Sequence, residues 1–409
     1  MNVLNINLPK AHFRSLIELV NSGHTVYTNF HDSFNYEPSF GIKYLPEDES
    51  DLLGRTGLEY IERPEVVSLI ADLIKRYDID ILQVCPPCLS YLHTHFSDKV
   101  KYIGPSEEVA KLEMDKLYSK KLARDLGIKV PETVKQGKFY DTDYLDQNTF
   151  PYIVKTSHIW QPACIFNSKE DQDIVREEIQ HKWGIYYDNF DYYIEEYISD
   201  MIETNVFFTV TNGEYSITHT QEIIGENLNK GVQSNVWYFG AYIKPLKPEV
   251  DVIVRREAEK YLTHIAKMGG SWEGSFCGAY TSQGDWYFLE TNTRPDIFNS
   301  TPTFMTGDEY LKGLTSDVSL FGKAWLNKNV QKLLITGSGE YPYHLHIKYD
   351  VAVPNNLEII DDKYFVCHFG VSHYSGRVGT VIADHNIPEE FIKEIEETTE
   401  WKFNAEPSL

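Results

Sequence analysis

The chain has 409 residues, 42% of them apolar and 14% aromatic, with 61 acidic against 38 basic side chains and a net charge of −23. That length exceeds what one hydrophobic core organises and points to about two to four domains. The acidic balance argues against a general nucleic-acid binder and a binder of anionic membranes, while leaving room for a local basic pocket that holds phosphates. There is no apolar run of about eighteen residues, and the start lacks a basic-then-apolar signal pattern, so a cytoplasmic location is expected. The five cysteines are odd in number and scattered, which fits reduced thiols. Cys85 and Cys88 in "VCPPC" have redox or half-zinc spacing. Without a second such pair they read as two thiols in a loop after a strand.

In chain order, "NVLNINL" predicts a strand and "HFRSLIELVNSG" a helix, with Phe13, Leu16, Ile17 and Val20 on one face and Gly23 as its stop. "TVYTNF" is the next strand. "PEVVSLIADLIKRYD" opens with Pro64 and repeats Val66, Leu69, Ile70, Leu73 and Ile74 at helical spacing. "IDILQVC" and "KYIGPS" complete a βαβ alternation, hence a parallel sheet with flanking helices. One helical stretch is expected from Ser106 to Leu126, with Gly127 as stop and Pro131 beyond. A strand-rich, aromatic segment follows, with "PYIVKT", "DYYIEEYI" and "NVFFTVTNGEYSITHTQEI", in which "TNGE" is a hairpin turn. Then come a helix, "EVDVIVRREAEKYLTHIAKMGG", and a strand, "DWYFLETNTRPD". An all-β run, "LEIIDDKYFVCHFGVSHYSGRVGTVIA", and an acidic helix, "PEEFIKEIEETTEW", close the chain.

The strand "DWYFLETNTRPD" begins with the apolar run Trp286 to Leu289 and continues with Glu290, Asn292, Arg294 and Asp296 at every second position. An extended chain points such a row to one face. An acid and an amide so placed are two oxygen ligands for a hard cation such as Mg²⁺. The same spacing also describes a solvated edge strand. Lys155 closes the apolar strand "FPYIVKTS", and Lys116 in "LEMDKLYSKK" lies near a helix start. Each is either a point charge for phosphates or a lysine whose stem covers apolar surface. In "YIEEYI", Glu195 and Glu196 point to opposite faces, and Glu203 follows a short break. Carboxylates there can accept hydrogen bonds from the hydroxyls of a nucleotide.

The ordered set "GPS…LEMDK", "PYIVK", "IEEYI…E", "FGAYIKP" and "FLETNTRP" resembles the ATP-grasp ligases, and more closely the phosphoribosylamine–glycine ligase (glycinamide ribonucleotide synthetase) family. The resemblance runs from Tyr102 to Leu311 and more faintly beyond. It implies an α/β and α+β multidomain chain: an N-terminal Rossmann-like parallel sheet over 1–104, a two-subdomain ATP-grasp fold over 105–330, and a small C-terminal β domain with a terminal helix over 331–409. It also implies ATP with Mg²⁺ or Mn²⁺, an acyl-phosphate intermediate, and a carbon–nitrogen bond between a carboxylate such as glycine and an amine acceptor. The acceptor would be a nucleotide amine, a sugar amine or a second amino acid, with no membrane partner; the acidic charge disfavours a nucleic-acid partner, which would need a local cationic groove. By the family pattern Lys116 and Lys155 contact ATP phosphates, Glu195 and Glu196 flank the adenine edge, and Glu203 meets the ribose hydroxyls. Glu290 and Asn292 bind the metal. Arg294 holds the carboxylate or acyl-phosphate oxygens and shares the catalytic role with Lys155.

The departures are local. "TSHIWQPACIF" follows Lys155 where the family has a glycine-rich phosphate flap, leaving His158, Trp160 or Gln161 to substitute with side chains. "PKAHF" follows the first strand in place of a glycine-containing loop, "VCPPC" replaces a glycine-proline-acid turn, and "PDIFNS" rearranges the acidic run after Arg294. The expectation is an ATP half that is kept and an acceptor half that is rebuilt. The second reading is a nucleotide-binding protein with this fold and no ligase activity.

Overall fold

The computed structural model describes residues 1–8, 13–29, 41–54, 61–85, 87–138, 151–156, 164–171, 191–198, 200–227, 238–295, 305–326, 331–336, 364–368 and 377–383. The first layer contains β1 (Asn2–Ile6), α1 (Phe13–Asn21), β2 (Thr25–Thr28), β3 (Lys43–Tyr44), α2 (Glu47–Gly54), α3 (Pro64–Tyr77), β4 (Ile81–Val84), α4 (Tyr91–Phe96) and β5 (Lys101–Pro105). Its strands pair in parallel in the order β3-β2-β1-β4-β5. This is the expected βαβ sheet. The sequence reading did not single out α2, β3 and α4. α3 opens on Pro64 and stops at Asp78, whose left-handed φ of 49° lets its N–H reach the Ile74 carbonyl.

The helical stretch expected to run unbroken is two helices, α5 (Glu107–Met114) and α6 (Lys116–Asp125). The break is Asp115, extended at φ −128° and ψ 89°, whose carboxylate accepts from the Tyr118 N–H at 2.9 Å. Aspartate stabilises a helix start better than a helix interior, because its side chain replaces a missing intrahelical partner. The break makes Lys116 the first residue of α6.

A separate antiparallel sheet follows, built from β6 (Thr133–Lys138), β7 (Tyr152–Thr156), β8 (Cys164–Phe166) and β9 (Asp191–Glu196) in the order β6-β9-β7-β8. Next come β10 (Met201–Thr211), β11 (Glu214–Asn227), β12 (Tyr238–Pro245), α7 (Pro248–Ile265), β13 (Gly270–Thr281), β14 (Trp286–Asn292), α8 (Gly307–Thr315) and α9 (Ser319–Trp325). The last strands are β15 (Gln331–Thr336), β16 (Tyr364–His368) and β17 (Arg377–Ala383). The β10–β11 turn is the expected hairpin: Asn212 and Gly213 both take positive φ, 51° and 85°. That pairing matches the right-handed twist of the flanking strands.

The central strands run β12-β11-β10-β13 with β14 on the other side of β13, and β15 continues the sheet from β12 to β17 and β16. At its start β13 also pairs with β5 through Gly270 and Ser271, so the parallel and antiparallel regions join. One face of the central sheet, with Val206, Phe208, Phe276 and Phe288, buries against Val254, Ala258, Tyr261 and Leu262 of α7. The later helices α8 and α9 pack back on the first layer, where Tyr310, Leu311, Leu314 and Phe321 share a core with Val3, Leu16, Leu19 and Val26. Among the described residues no helix is long and apolar enough to cross a membrane. The acidic C-terminal helix expected from the sequence, and the flap residues His158, Trp160 and Gln161, lie outside the described residues.

Candidate active site

The site is built on a bulge. Along β14, Phe288 pairs with Gly278 and Glu290 with Cys277, so Leu289 is an extra residue without a register partner. Trp286 and Phe288 belong to the core against α7. Strict alternation would send Glu290 into that same core. The extra residue reverses the phase, because a bulge kinks its strand and re-aims the side chains beyond it. Thr291 therefore faces inward, sharing hydrogen bonds with Ser119 and Tyr261. Glu290 and Asn292 fall on the opposite face, beside Cys277 and Ser275; Asn292 Nδ2 lies 3.2 Å from Ser275 Oγ. The register carries Glu203 and Asn205 of β10 to this face as well, opposite Ala279 and Cys277.

Three lysines meet two carboxylates here. Lys116 Nζ is 3.0 Å from Glu290 Oε2. Lys155 Nζ reaches across from β7 to Glu195 Oε2 at 3.2 Å, and Lys120 Nζ bonds the other oxygen of the same carboxylate. Glu195 is 0% exposed and Lys120 1% exposed, so this is a buried ion cluster tying the four-stranded sheet to α6. Burial works against the charge of Glu290, but Lys116 and then Lys155 outweigh it and bring the pKa down to about 2. Burial likewise opposes the ionised form of Glu195, and Lys120 and Lys155 hold its pKa below the ordinary value. Burial pulls Lys120 down to about 8 against the attraction of Glu195. Lys155 suffers the same burial cost, yet Glu195 and Glu290 keep its pKa above the ordinary lysine value.

Arg294 lies just past β14, where its Nε donates to Glu113 Oε1 at 2.8 Å and its Nη2 to Asn292 Oδ1 at 3.5 Å. Glu113 also accepts from the Thr293 N–H at 2.6 Å and the Thr293 hydroxyl at 3.1 Å, so one buried carboxylate at the end of α5 shapes the whole turn. Glu196 points the other way from Glu195, is exposed, and accepts from the Glu132 N–H at 3.3 Å. Glu203 is half-buried, near Tyr197. Asp296 lies outside the described residues. Of the residues predicted from sequence, the fold thus brings Lys116, Lys155, Glu195, Glu290, Asn292 and Arg294 into one neighbourhood and sets Glu196 at its outer side.

Sequence reasoning missed Lys120, Glu113 and Cys277. Lys120 had a legible signal, since it lies one helical turn after Lys116 in "KLYSKK" and so shares its face. Glu113 and Cys277 had none, because their roles come from strand and helix neighbours far away in the chain. Cys85 and Cys88 are buried and form no disulfide with each other. Burial pushes the Cys85 thiol far up, which disfavours the nucleophilic thiolate and fits the loop reading.

A hard divalent cation fits part of this donor set. Glu290 stays ionised and shares a face with the Asn292 amide, and Mg²⁺ binds through one or two carboxylates together with substrate phosphates. Among the described residues no group of three or more His, Cys, Asp or Glu side chains forms a cation cage. The donors suit a cation that arrives with a phosphate-bearing ligand.

No family model matches the sequence, and no curated protein matches it. Solved structures do. An L-amino acid ligase from Bacillus licheniformis superposes with a TM-score of 0.65 at 14% identity, over 97% of this chain and 97% of its own. N5-carboxyaminoimidazole synthetase from Staphylococcus aureus gives 0.63 at 13% identity, over 98% and 97%. Biotin carboxylase from Campylobacter jejuni, in complex with β,γ-ATP, gives 0.63 at 13% identity, over 97% and 90%. At such identities the likeness establishes architecture alone. With its Rossmann-like first layer, its four-stranded sheet facing a larger antiparallel sheet, and its β-rich C-terminal strands, the chain has the ATP-grasp fold.

Proposed function

We propose that the protein is an ATP-dependent carboxylate–amine ligase working through an acyl phosphate. The observation that carries this reading is the cluster in which Lys116 pairs with an ionised Glu290 while Lys120 and Lys155 pair with Glu195, with Asn292 on the same strand face as Glu290. Lys116 and Lys155 bind the ATP phosphates; Glu195, expected at the adenine edge, is instead fully buried between Lys120 and Lys155 and orients Lys155. Glu196 and Glu203 serve the nucleoside end, with Glu203 at the ribose hydroxyls. Glu290 and Asn292 hold Mg²⁺ or Mn²⁺, which supplies charge neutralisation as phosphoryl oxygens gather negative charge. Arg294, anchored by Glu113, presents its guanidinium to the carboxylate substrate.

The chemistry follows from positioning. A carboxylate oxygen attacks the γ-phosphorus, the bond to the β–γ bridging oxygen breaks, and ADP leaves. Lysine charges fixed in a partly desolvated site stabilise that transfer more than mobile water does. The amine nitrogen then attacks the acyl carbon and phosphate leaves. The ordered motifs shared with the phosphoribosylamine–glycine ligases support glycine or another amino acid as the carboxylate, while the rebuilt segments after β1 and β4 support a different acceptor.

The test is purified protein with ATP, Mg²⁺ and hydroxylamine against a panel of amino acids and other small carboxylates. Hydroxylamine intercepts an acyl phosphate as a hydroxamate whatever the natural acceptor. Hydroxamate with matching ADP supports the reading. Tight ATP binding without hydroxamate or ADP from any panel member overturns it in favour of a nucleotide-binding protein that has lost ligation.

A further inference from the structure

The lysines of the site divide by exposure. The Lys116 and Lys155 side chains are 13% and 15% exposed, so both can meet a ligand. The Lys120 side chain is 2% exposed and that of Glu195 0%, so neither can. An ion pair buried this deeply is expensive, because both charges lose their water. The sheet gives the pair a task in return. Lys155 and Tyr193 are register partners on β7 and β9, and Glu195 lies two residues further along β9 on the same face. Lys155 therefore reaches Glu195 diagonally, across a span that a long side chain covers. Lys120 approaches this face from α6, its Nζ 5.6 Å from the centroid of the Tyr193 ring.

Glu195 divides its two oxygens between the lysines. Oε1 accepts from Lys120 Nζ, and Oε2 stands 3.2 Å from Lys155 Nζ. Two lysines on one carboxylate leave a surplus of one positive charge, and Lys155 is the end of the group that reaches the site. Burial pulls the pKa of Lys120 down to about 8, which keeps it a cation at neutral pH. Without Lys120, Glu195 and Lys155 form a closed pair with no surplus. Lys155 could then turn to phosphate oxygens only by leaving a fully buried carboxylate without a cation. Leaving a buried charge unpaired is strongly unfavourable.

Resting on the part of the ligase reading that places the ATP phosphates at Lys155, we propose that Lys120 is a positioning residue for ATP. Through Glu195 it leaves the charge of Lys155 free for the phosphates, and it does so without touching the nucleotide. No bond forms or breaks at Lys120; its contribution is electrostatic and runs along the line Lys120, Glu195, Lys155. The effect belongs to the phosphate end, because a nucleoside carries no charge for Lys155 to answer. A neutral residue in place of Lys120 therefore weakens ATP binding and leaves adenosine binding as it is. Neutralising Glu195 as well returns the surplus charge to Lys155.

The test uses the full chain at neutral pH and measures Kd for ATP with Mg²⁺ and for adenosine. Lys155→Met and Lys120→Met are each expected to raise the Kd for ATP about tenfold or more, with the Kd for adenosine changed by less than about threefold. Lys120→Met combined with Glu195→Gln is expected to bring the Kd for ATP back to within about threefold of wild type. Lys120→Gln keeps a donor for Glu195 Oε1 but no charge, and is expected to weaken ATP as Lys120→Met does; where Lys120→Met does not fold, this variant decides. Wild-type ATP affinity in the neutral variants, beside a weakened Lys155→Met, overturns the inference and leaves the phosphates at Lys155. An equal loss for ATP and adenosine also overturns it, since that marks a loosened site. So does a double variant as weak as Lys120→Met, because Lys120 would then act by a route other than Glu195. Unchanged ATP affinity in Lys155→Met removes the phosphate assignment and the inference together. Hydroxamate is scored separately, so ATP binding with these shifts but without hydroxamate from any donor removes the ligase reading alone.

Discussion

Lys116 Nζ stands 3.0 Å from Glu290 Oε2, joining the first residue of α6 to the first polar residue beyond the bulge of β14. Both positions depend on an irregularity: Asp115 breaks the helix before Lys116, and Leu289 shifts the strand before Glu290. Without either one, the two charges would point elsewhere.

The low pKa of Glu290 makes a prediction about acid stability. Its folded value of about 2 lies below the ordinary 4.5, so the ionised folded state is favoured. Its contribution is fully present above about pH 4.5 and is lost as pH falls toward 2. Between those values wild type should lose stability more steeply than Glu290→Gln, measured by urea unfolding at a series of pH values. Parallel slopes for the two proteins would remove Glu290 from the lysine cluster.

For activity, Lys155→Met and Glu290→Ala should each abolish measurable ADP release. Losing a phosphate contact or a metal ligand costs on the order of several kcal/mol of transition-state stabilisation. ADP release in the presence of the hydroxamate-forming carboxylate is the measurement, with folding checked by circular dichroism. Wild-type turnover in either variant would contradict its assignment.

The divalent cation can be tested without mutation. Chelation with EDTA should stop ADP release, and Mg²⁺ or Mn²⁺ should each restore it, because hard oxygen donors accept both. Turnover that persists in EDTA would exclude a metal role for Glu290 and Asn292.

The buried Lys120–Glu195 pair predicts a stability pattern that does not add up residue by residue. Lys120→Met leaves Glu195 buried with Lys155 as its other cation, and should destabilise by about 3 kcal/mol. The double variant Lys120→Met with Glu195→Gln should be closer to wild type, because no uncompensated charge stays inside. Urea denaturation of wild type, Lys120→Met, Glu195→Gln and the double variant gives the cycle. A double variant as unstable as the sum of its parts would show that the pair is not coupled.

Gly278 tests the packing beneath the bulge. A Cβ at that position would lie 2.3 Å from Trp286 Nε1 and 2.4 Å from Cε2 in the rigid indole. Gly278→Ala should cost about 1–3 kcal/mol, read as a lower thermal midpoint. An unchanged midpoint would mean that Trp286 can move aside, and that its 2.8 Å hydrogen bond to Thr204 is not part of a fixed core.

Much of the scaffold was legible in the residues themselves. Pro64 before a helical apolar repeat, Asn212-Gly213 between alternating runs, and the buried strands of β1 and β4 are local signals, and each produced the expected element. Lys155 at the end of an apolar strand and the acid–amide pair Glu290 and Asn292 were likewise visible, because residue type and spacing are local properties. The break at Asp115 was not, since the poor interior propensity of a single aspartate costs less than about 1 kcal/mol, too little to end a helix alone, and its capping role appears once the carboxylate finds the Tyr118 N–H.

What the sequence determined by itself was therefore which elements form and which charged residues lie at their ends. Side-chain periodicity and capping chemistry act over a few residues, and they are written in those residues. Which face Glu290 occupies, that Glu195 bridges Lys120 and Lys155, that Glu113 anchors Arg294, and that hydrogen bonds run from Asn5 through Gln83 and Tyr310 to Glu273 were decided by tertiary structure alone. Each depends on the register of strands or the packing of helices, through contacts between residues as many as 227 positions apart, and a one-residue shift in register exchanges the two faces of a strand.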